Sequence, residues 1–166
     1  SKGIPERLRA LEQFWERNPE WRGELTYVEK GSETRSQIDA YQAIQRRIED
    51  GVERVNERFG TDEWTPVLSF DEYISKAALA SLYRHSDLAL VSPIRDGMNL
   101  VAQEYVAAQI DEDGVLVLSD QAGVGTMLDA ALMVKPQNTG AFTDAIESAL
   151  SMREAERRAR MQRLRK

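Results

Sequence analysis

The chain of 166 residues contains no cysteine, a single histidine and no long apolar run. Without cysteine it can form neither a disulfide framework nor a thiolate nucleophile, and His85 alone does not provide a histidine-rich zinc site. No apolar stretch is long enough to cross a bilayer, and the first residues do not resemble a secretory signal. We therefore expect a cytoplasmic protein that contacts no membrane and uses neither a metal ion nor another cofactor.

Positive charge is also scarce, because 22 basic residues face 28 acidic residues and the net charge is -6 at pH 7. Nucleic-acid binding draws on an excess of lysine and arginine, so we expect no nucleic-acid partner. A phosphate site in this chain has to be local. The hydrophobic content of 42% and the charged content of 30% are typical of a folded domain.

Helix-like and strand-like apolar periods alternate along the chain, which predicts an α/β fold with a mainly parallel sheet. Short strands are predicted at residues 25–28, 67–70, 88–91, 115–118 and 132–134, and the continuous apolar character of 88–91 predicts a buried strand there. A long amphipathic helix is predicted over residues 38–59 with Gly60 as a left-handed cap, and a short helix around residues 127–130. We expect one domain over residues 1–152, followed by a charged helix or tail over residues 153–166.

Polar loops follow two of the strands, at residues 92–99 and 119–126. Loops at the carboxyl ends of parallel strands, with a helix start beside them, are where α/β proteins bind polar and phosphorylated ligands. In the first loop, Gly97 permits a tight turn, and the carboxylates of Asp96 and Glu104 can accept hydrogen bonds from hydroxyl groups. An ordinary turn and an ordinary helix start would give the same spacing, so the residues alone leave both interpretations open.

Residues 95–107, Arg-Asp-Gly-Met-Asn-Leu-Val-Ala-Gln-Glu-Tyr-Val-Ala, closely resemble the donor-binding signature of the trehalose-6-phosphate synthase family. Further segments match that family in the same order, among them residues 1–8, 34–35, 64–66, 82–87 and 115–119. The resemblance covers nearly the whole chain. It implies the carboxyl-terminal, Rossmann-like lobe of a GT-B glycosyltransferase, in which helices lie on both faces of a parallel sheet.

The resemblance also implies the role of each site residue. Lys2 is similar to the lysine that holds the donor diphosphate together with an arginine, which would precede Ser1. Arg35 is similar to an arginine near the nucleotide, and Ile74 lies where the family reads the uracil through a backbone group. Asp96 is similar to the carboxylate that binds the glucose hydroxyls, and Lys2 and Asp96 are the expected catalytic residues.

The remaining donor contacts follow from the same signature. The backbone of Gly97, Met98, Asn99 and Leu100 is expected beside the sugar and the phosphates, with amides of Leu100 and Val101 on the phosphates. Glu104 is similar to the glutamate that accepts hydrogen bonds from two ribose hydroxyls. Several positions depart from the family pattern: Gln121 and Gln137 stand where aromatic residues are usual, Gln103 replaces a lysine, and Met127 replaces a glutamate. The donor is therefore expected to be UDP-glucose or another NDP-glucose.

The family's reaction transfers glucose from a nucleotide diphosphate to glucose 6-phosphate with retention of configuration. The resemblance implies that the acceptor binds to an amino-terminal lobe outside this chain, so the isolated chain is expected to bind donor weakly and to turn over little. Two alternatives stay open. The domain could serve a relative with another acceptor, such as a glucosylglycerol-phosphate synthase, or it could bind sugar nucleotides without catalysis as a regulatory domain. A homo-oligomer is also left open.

Overall fold

The computed structural model describes residues 2–31, 39–124 and 127–166. Within these residues the helices are α1 Ile4–Arg17, α2 Asp39–Phe59, α3 Lys76–His85, α4 Leu100–Ala108, α5 Thr139–Ser151 and α6 Glu154–Leu164. The strands are β1 Tyr27–Lys30, β2 Val67–Phe70, β3 Leu88–Val91, β4 Val115–Ser119 and β5 Leu132–Val134. None of these helices combines the length and the apolar character that a bilayer span requires.

The chain divides into two compact units. The larger unit consists of Ser1–Arg7 and Ile74–Lys166, and the smaller unit is Leu8–Tyr73. Among the described residues every strand pair is parallel, in the order β3-β4-β5 in the larger unit and β1-β2 in the smaller one. The predicted α/β class with parallel sheets is therefore confirmed.

The core of the larger unit forms around β4, all five residues of which are buried. A strand with a neighbour on each edge and helices packed on the sheet has no solvent-facing side, which explains its continuous apolar sequence. Helices α4, α5 and α6 all contact this strand. In α6, Met161 and Leu164 are buried in the same core, so the segment predicted as a charged helix or tail contains a packed helix.

The smaller unit is held by aromatic packing on α2. The ring of Trp15, which is fully buried, lies 6.1 Å from the ring of Phe59 and 5.7 Å from that of Trp64. Helix α2 connects the parallel strands β1 and β2, as a crossover connection requires. Its predicted first residue, Ile38, lies outside the described residues.

Three details of the predicted secondary structure were wrong. The first strand runs over Tyr27–Lys30 and not over residues 25–28, because its register is set by pairing of Tyr27 with Val67. Residues 127–130 form turns and no helix. So short a segment, which contains Asp129, cannot offset the cost of helix nucleation. In β3, only Val91 is fully buried, while the other three residues are half-buried.

The predicted left-handed cap at Gly60 is also wrong, since Gly60 has no positive φ. Its amide donates to the carbonyl of Asn56 at 2.8 Å. A Cβ atom at this position would lie 2.3 Å from that carbonyl oxygen. Close approach of the backbone, and not a left-handed conformation, therefore explains the glycine.

Candidate functional site

Asn99 joins the loop after β3 to the first turn of α4. Its Oδ1 accepts a hydrogen bond from the amide of Ala102 at 3.0 Å, which makes it the N-cap of the helix. Its Nδ2 donates to Oδ2 of Asp96 at 3.1 Å. One buried side chain thus fixes both the helix start and the direction of the Asp96 carboxylate.

Asp96 also organises its own loop. Its Oδ1 accepts from the amide of Met98 at 3.2 Å, the bond that defines an Asx turn. The residue is half-buried, while Gly97 and Met98 are exposed. Each carboxylate oxygen has a second lone pair, so the anchored carboxylate can still accept hydrogen bonds from hydroxyl groups of a ligand.

The start of α4 is open to solvent. Leu100 and Val101 are 56% and 45% exposed, which is unusual for large apolar residues on a helix. Their amides belong to the first turn and have no carbonyl acceptor within the helix. Unpaired amides and the positive end of the helix dipole together form a site that favours anions.

Glu104 lies on α4 one turn after Leu100, and its side chain is exposed. Burial and, to a smaller extent, the negative charge of Glu104 raise the pKa of Tyr83. Tyr83 is half-buried on α3, which packs against α4. A solvated carboxylate in this position can accept two hydrogen bonds from neighbouring hydroxyl groups.

Buried polar side chains anchor the other end of α4. Tyr105 is fully buried, which raises the pKa of its hydroxyl, and this hydroxyl donates to the carbonyl of Ser86 at 3.2 Å. Gln109 donates from Nε2 to the carbonyl of Tyr83 at 2.6 Å and accepts at Oε1 from the amide of Gly114 at 2.8 Å. These bonds fix α4 against α3 and the strand starts, so the helix presents its amino terminus from a rigid base.

The loop after β4 is joined directly to the Asp96 loop. Asp96 forms a parallel bridge with Ala122, and the amide of Gly123 donates to the carbonyl of Asp96 at 2.9 Å. A Cβ atom at Gly123 would lie 2.1 Å from the carbonyl oxygen of Gly97, so only glycine permits this approach. The two polar loops predicted from the sequence therefore form one surface.

Gln121 and Gln137, the two departures from the family's aromatic pattern, contact each other. Nε2 of Gln121 donates to Oε1 of Gln137 at 3.3 Å. The amide pair thus links the loops that follow β4 and β5.

The segment that carries Lys2 lies against the end of β3. Gly3, with φ of +67°, approaches Ser92 so closely that a Cβ atom would lie 1.7 Å from the Ser92 carbonyl oxygen. Oγ of Ser92 donates to the Gly3 carbonyl at 3.2 Å, and the guanidinium of Arg7 donates to the Lys2 carbonyl at 3.1 Å. The exposed Lys2 is therefore held at the same edge of the sheet as the Asp96 loop.

The other predicted site residues are placed less directly. Ile74 is half-buried and immediately precedes Ser75, the N-cap of α3. Arg35 lies outside the described residues, as does Thr126 in the second loop. No group of three or more acidic, histidine or cysteine side chains within residues 2–31, 39–124 and 127–166 could hold a metal ion.

Sequence reasoning missed two buried serines, Ser92 and Ser119, which make the bonds that hold these loops. Each follows or ends a strongly apolar strand, where a small polar residue without solvent exposure needs a specific partner. A serine at the end of an apolar strand was therefore the feature of the sequence from which these buried hydrogen bonds could have been predicted.

Comparison with known proteins identifies the family of the chain. Residues 1–166 match the family model described as Glycosyltransferase family 20. The chain is 42% identical over 163 residues to a trehalose-6-phosphate synthase of Sodalis glossinidius, covering 98% of this chain and 35% of that protein. It therefore spans about a third of the length of this relative.

Solved structures agree. A UDP-forming alpha,alpha-trehalose-phosphate synthase from Burkholderia xenovorans, in complex with glucose-6-phosphate, matches with a TM-score of 0.95 and 41% identity over 99% of this chain and 37% of that chain. An E. coli structure bound with UDP-2-fluoro glucose matches with a TM-score of 0.95 and 40% identity, again over 99% of this chain and 37% of that chain. The predicted lobe of a GT-B glycosyltransferase is thus confirmed as the fold. The chain belongs to glycosyltransferase family 20.

Proposed function

We propose that this chain is the donor-binding lobe of a UDP-forming alpha,alpha-trehalose-phosphate synthase and acts in trehalose biosynthesis. Its substrate at this lobe is UDP-glucose or another NDP-glucose. The observation that carries the proposal is the solvent-open start of α4, beside a carboxylate that Asn99 holds in place. Relatives bound with UDP-2-fluoro glucose and with glucose-6-phosphate support the same substrates.

The donor would lie across the carboxyl edge of the β3-β4-β5 sheet. Asp96 accepts hydrogen bonds from the glucose hydroxyls, and the backbone from Gly97 through Met98 and Asn99 lines the sugar and the phosphates. The amides of Leu100 and Val101 bind the diphosphate at the positive end of α4. The Glu104 carboxylate accepts hydrogen bonds from the two ribose hydroxyls.

Three further residues complete the proposed donor contacts. Lys2 neutralises the charge that develops on the diphosphate as it leaves. Arg35 binds near the nucleotide, and a backbone group of Ile74 reads the base. The hydrogen bond between Ser92 and the neighbouring Gly3 supports the proposed role of Lys2.

In the proposed reaction, the bond between C1 of glucose and the diphosphate oxygen breaks, and a bond forms between C1 and the anomeric hydroxyl oxygen of glucose 6-phosphate. The proton of that hydroxyl passes to an oxygen of the departing diphosphate, and UDP is released. Positioning of the acceptor and stabilisation of the leaving group by Lys2 and the helix amides account for the rate. The acceptor binds to the amino-terminal lobe, in the part of the longer relatives that this chain does not match.

Calorimetry with UDP and UDP-glucose tests the site. We expect weak but measurable binding of both ligands, with glucose recognition reduced in Asp96→Ala and binding of both ligands reduced in Glu104→Ala. Asp87→Ala is the matched control for Asp96, because Asp87 is an exposed carboxylate directly before β3, at the opposite edge of the sheet. Glu154→Ala is an exposed helical control for Glu104. If Asp96→Ala and Glu104→Ala bind both ligands as tightly as the wild type does, the assignment of the donor site is wrong.

The reaction is tested by mixing the chain with a separately produced amino-terminal lobe of a relative. Trehalose 6-phosphate is expected from UDP-glucose and glucose 6-phosphate only when both parts are present. Formation of a different product with glycerol 3-phosphate would assign another acceptor. Donor binding without any transfer in the reconstituted mixture would indicate a non-catalytic domain.

A further inference from the structure

Two buried serines stand side by side at the carboxyl edge of the larger unit's sheet. Strands β3 and β4 pair in parallel with Val91 opposite Leu118, so the next residues, Ser92 and Ser119, continue the same register. Both are fully buried, with 0% of the side chain exposed. Two neighbouring hydroxyl groups without access to water must both find hydrogen-bond partners within the protein.

The hydroxyl of Ser119 links the two polar loops. It donates to the carbonyl of Pro93 at 2.7 Å and accepts from the amide of Gln121 at 3.1 Å. Pro93 begins the path to Asp96, and Gln121 precedes Ala122, the bridge partner of Asp96. Ser119 therefore fixes the segment that carries Asp96 from both sides.

The hydroxyl of Ser92 makes a different connection. It donates to the carbonyl of Gly3 at 3.2 Å and accepts from Nε of Arg7 at 3.1 Å. Its partners lie on the segment that carries Lys2 and on the first turn of α1. Neither partner of Ser92 is shared with Ser119.

We propose that Ser92 and Ser119 are positioning residues that divide the donor site between them. Ser92 holds Lys2 for the diphosphate, and Ser119 holds the Asp96 loop for the sugar. This inference rests on the proposed function, because it assigns a ligand group to each loop. It adds that recognition of the sugar and recognition of the diphosphate can be disturbed separately through residues that contact neither.

The reason is that the two hydroxyl groups have different partners: Ser92 bonds the Lys2 segment and α1, whereas Ser119 bonds the two polar loops. Alanine at position 119 leaves the Pro93 carbonyl and the Gln121 amide without their buried partner, so both loops have to move to satisfy these groups. A shift of about 1 Å at a binding carboxylate is enough to weaken recognition by a large factor. Alanine at position 92 has the same effect on the Gly3 carbonyl and leaves the Asp96 loop in place.

The test measures uridine, UDP and UDP-glucose affinities by NMR titration for Ser92→Ala and Ser119→Ala. For Ser119→Ala we expect the affinity for UDP-glucose relative to UDP to fall about tenfold, the factor for one buried hydrogen bond, with UDP relative to uridine unchanged. For Ser92→Ala we expect UDP relative to uridine to fall about tenfold, with UDP-glucose relative to UDP unchanged. A partly unfolded variant lowers all affinities by one factor, so these ratios separate positioning from stability.

Two further variants strengthen the test. Gly123→Ala places a Cβ atom against the Gly97 carbonyl without touching the buried serines, and it should reproduce the effect of Ser119→Ala. Ser86→Ala is the control, since its hydroxyl donates to the Leu82 carbonyl before β3 begins, and it should change neither ratio.

The outcomes distinguish the inference from the function on which it rests. If Asp96→Ala lowers the preference for UDP-glucose but Ser119→Ala and Gly123→Ala do not, the positioning roles are wrong and the function stands. The roles are also wrong if both serine variants change the same ratio. If the wild-type chain binds no UDP, both the function and the inference fail.

Discussion

Substitution of Asn99 by aspartate tests whether an anion binds at the start of α4. Aspartate retains an oxygen that can cap the helix by accepting from the Ala102 amide, and a negative charge at a helix start contributes about 0.3–1 kcal/mol of stability. It removes the Nδ2 donor that lies 3.1 Å from Oδ2 of Asp96. Two carboxylates then face each other in place of a hydrogen bond.

The size of the electrostatic effect follows from these distances. Two unit charges about 4 Å apart repel by about 1 kcal/mol in water and by about 4 kcal/mol at an effective dielectric constant of about 20. The loop is half-exposed at Asp96, so the repulsion between the carboxylates lies between these limits. The same added charge acts on a diphosphate at the amides of Leu100 and Val101. We therefore expect UDP affinity to fall by about fivefold to several hundredfold.

Asn99→Ala is the matched variant, because it loses the cap and the Asp96 contact without adding charge. The lost cap costs about 1 kcal/mol of unfolding free energy. We expect Asn99→Asp to bind UDP more weakly than Asn99→Ala, although it keeps a capping oxygen. The difference should shrink only in part in high salt, because position 99 is buried and ions screen buried charges less than exposed ones.

The affinities of the two variants are measured at low and high salt, by calorimetry for UDP and by NMR titration for uridine. Uridine carries no phosphate, so the two variants should bind it alike. Equal loss of UDP binding in the alanine and aspartate variants would refute an anion at the helix start. Wild-type UDP affinity in Asn99→Asp would refute it as well.

Three further predictions concern the fold. Burial raises the pKa of Tyr105, so the folded state keeps a proton that the unfolded state releases above about pH 10. The free energy of unfolding should therefore fall as pH rises above that value, by up to about 1.4 kcal/mol per pH unit. In urea unfolding, Tyr105→Phe should make this pH dependence weaker. Phe142→Ala, at a fully buried position in α5, should cost about 3–5 kcal/mol of unfolding free energy, and a loss below about 1 kcal/mol would show that the core there is not packed as described. Gly60→Ala and Gly60→Asn should destabilise alike, because the Cβ atom meets the Asn56 carbonyl; clear tolerance of asparagine over alanine in thermal unfolding would restore the left-handed cap.

Much of the fold could be predicted because apolar periodicity determines which segments are buried. The run of residues 115–118 predicted a strand, and β4 is found there and is buried at every position. The long helix was equally clear, since its apolar residues recur over many turns and its end at Phe59 was correct. Strand bounds depend instead on pairing, which explains the two-residue shift of β1.

The predictions that failed depend on local backbone geometry, which residue type alone does not determine. Gly60 is consistent with a left-handed cap and with a close approach, and only the position of the Asn56 carbonyl distinguishes them. Residues 127–130 contain helix-compatible side chains but too few of them to form a helix.

The candidate site was predicted in part. The loop and helix start could be recognised from residue types and from family resemblance, because polar residues at a strand end have a chemical meaning. The hydrogen bonds of Ser92 and Ser119 could not be recognised from the sequence. Ser92 bonds a residue 89 positions away, and Ser119 joins two separate loops. Such contacts depend on the three-dimensional arrangement of the strands.

The most direct test of donor binding at α4 is a titration of the isotope-labelled chain with UDP, followed through the backbone amide signals. The account predicts that the signals of Leu100 and Val101 shift most, because their amides would donate to the phosphates, and that signals on α6 remain unchanged. Saturable UDP binding with unmoved Leu100 and Val101 signals would contradict it.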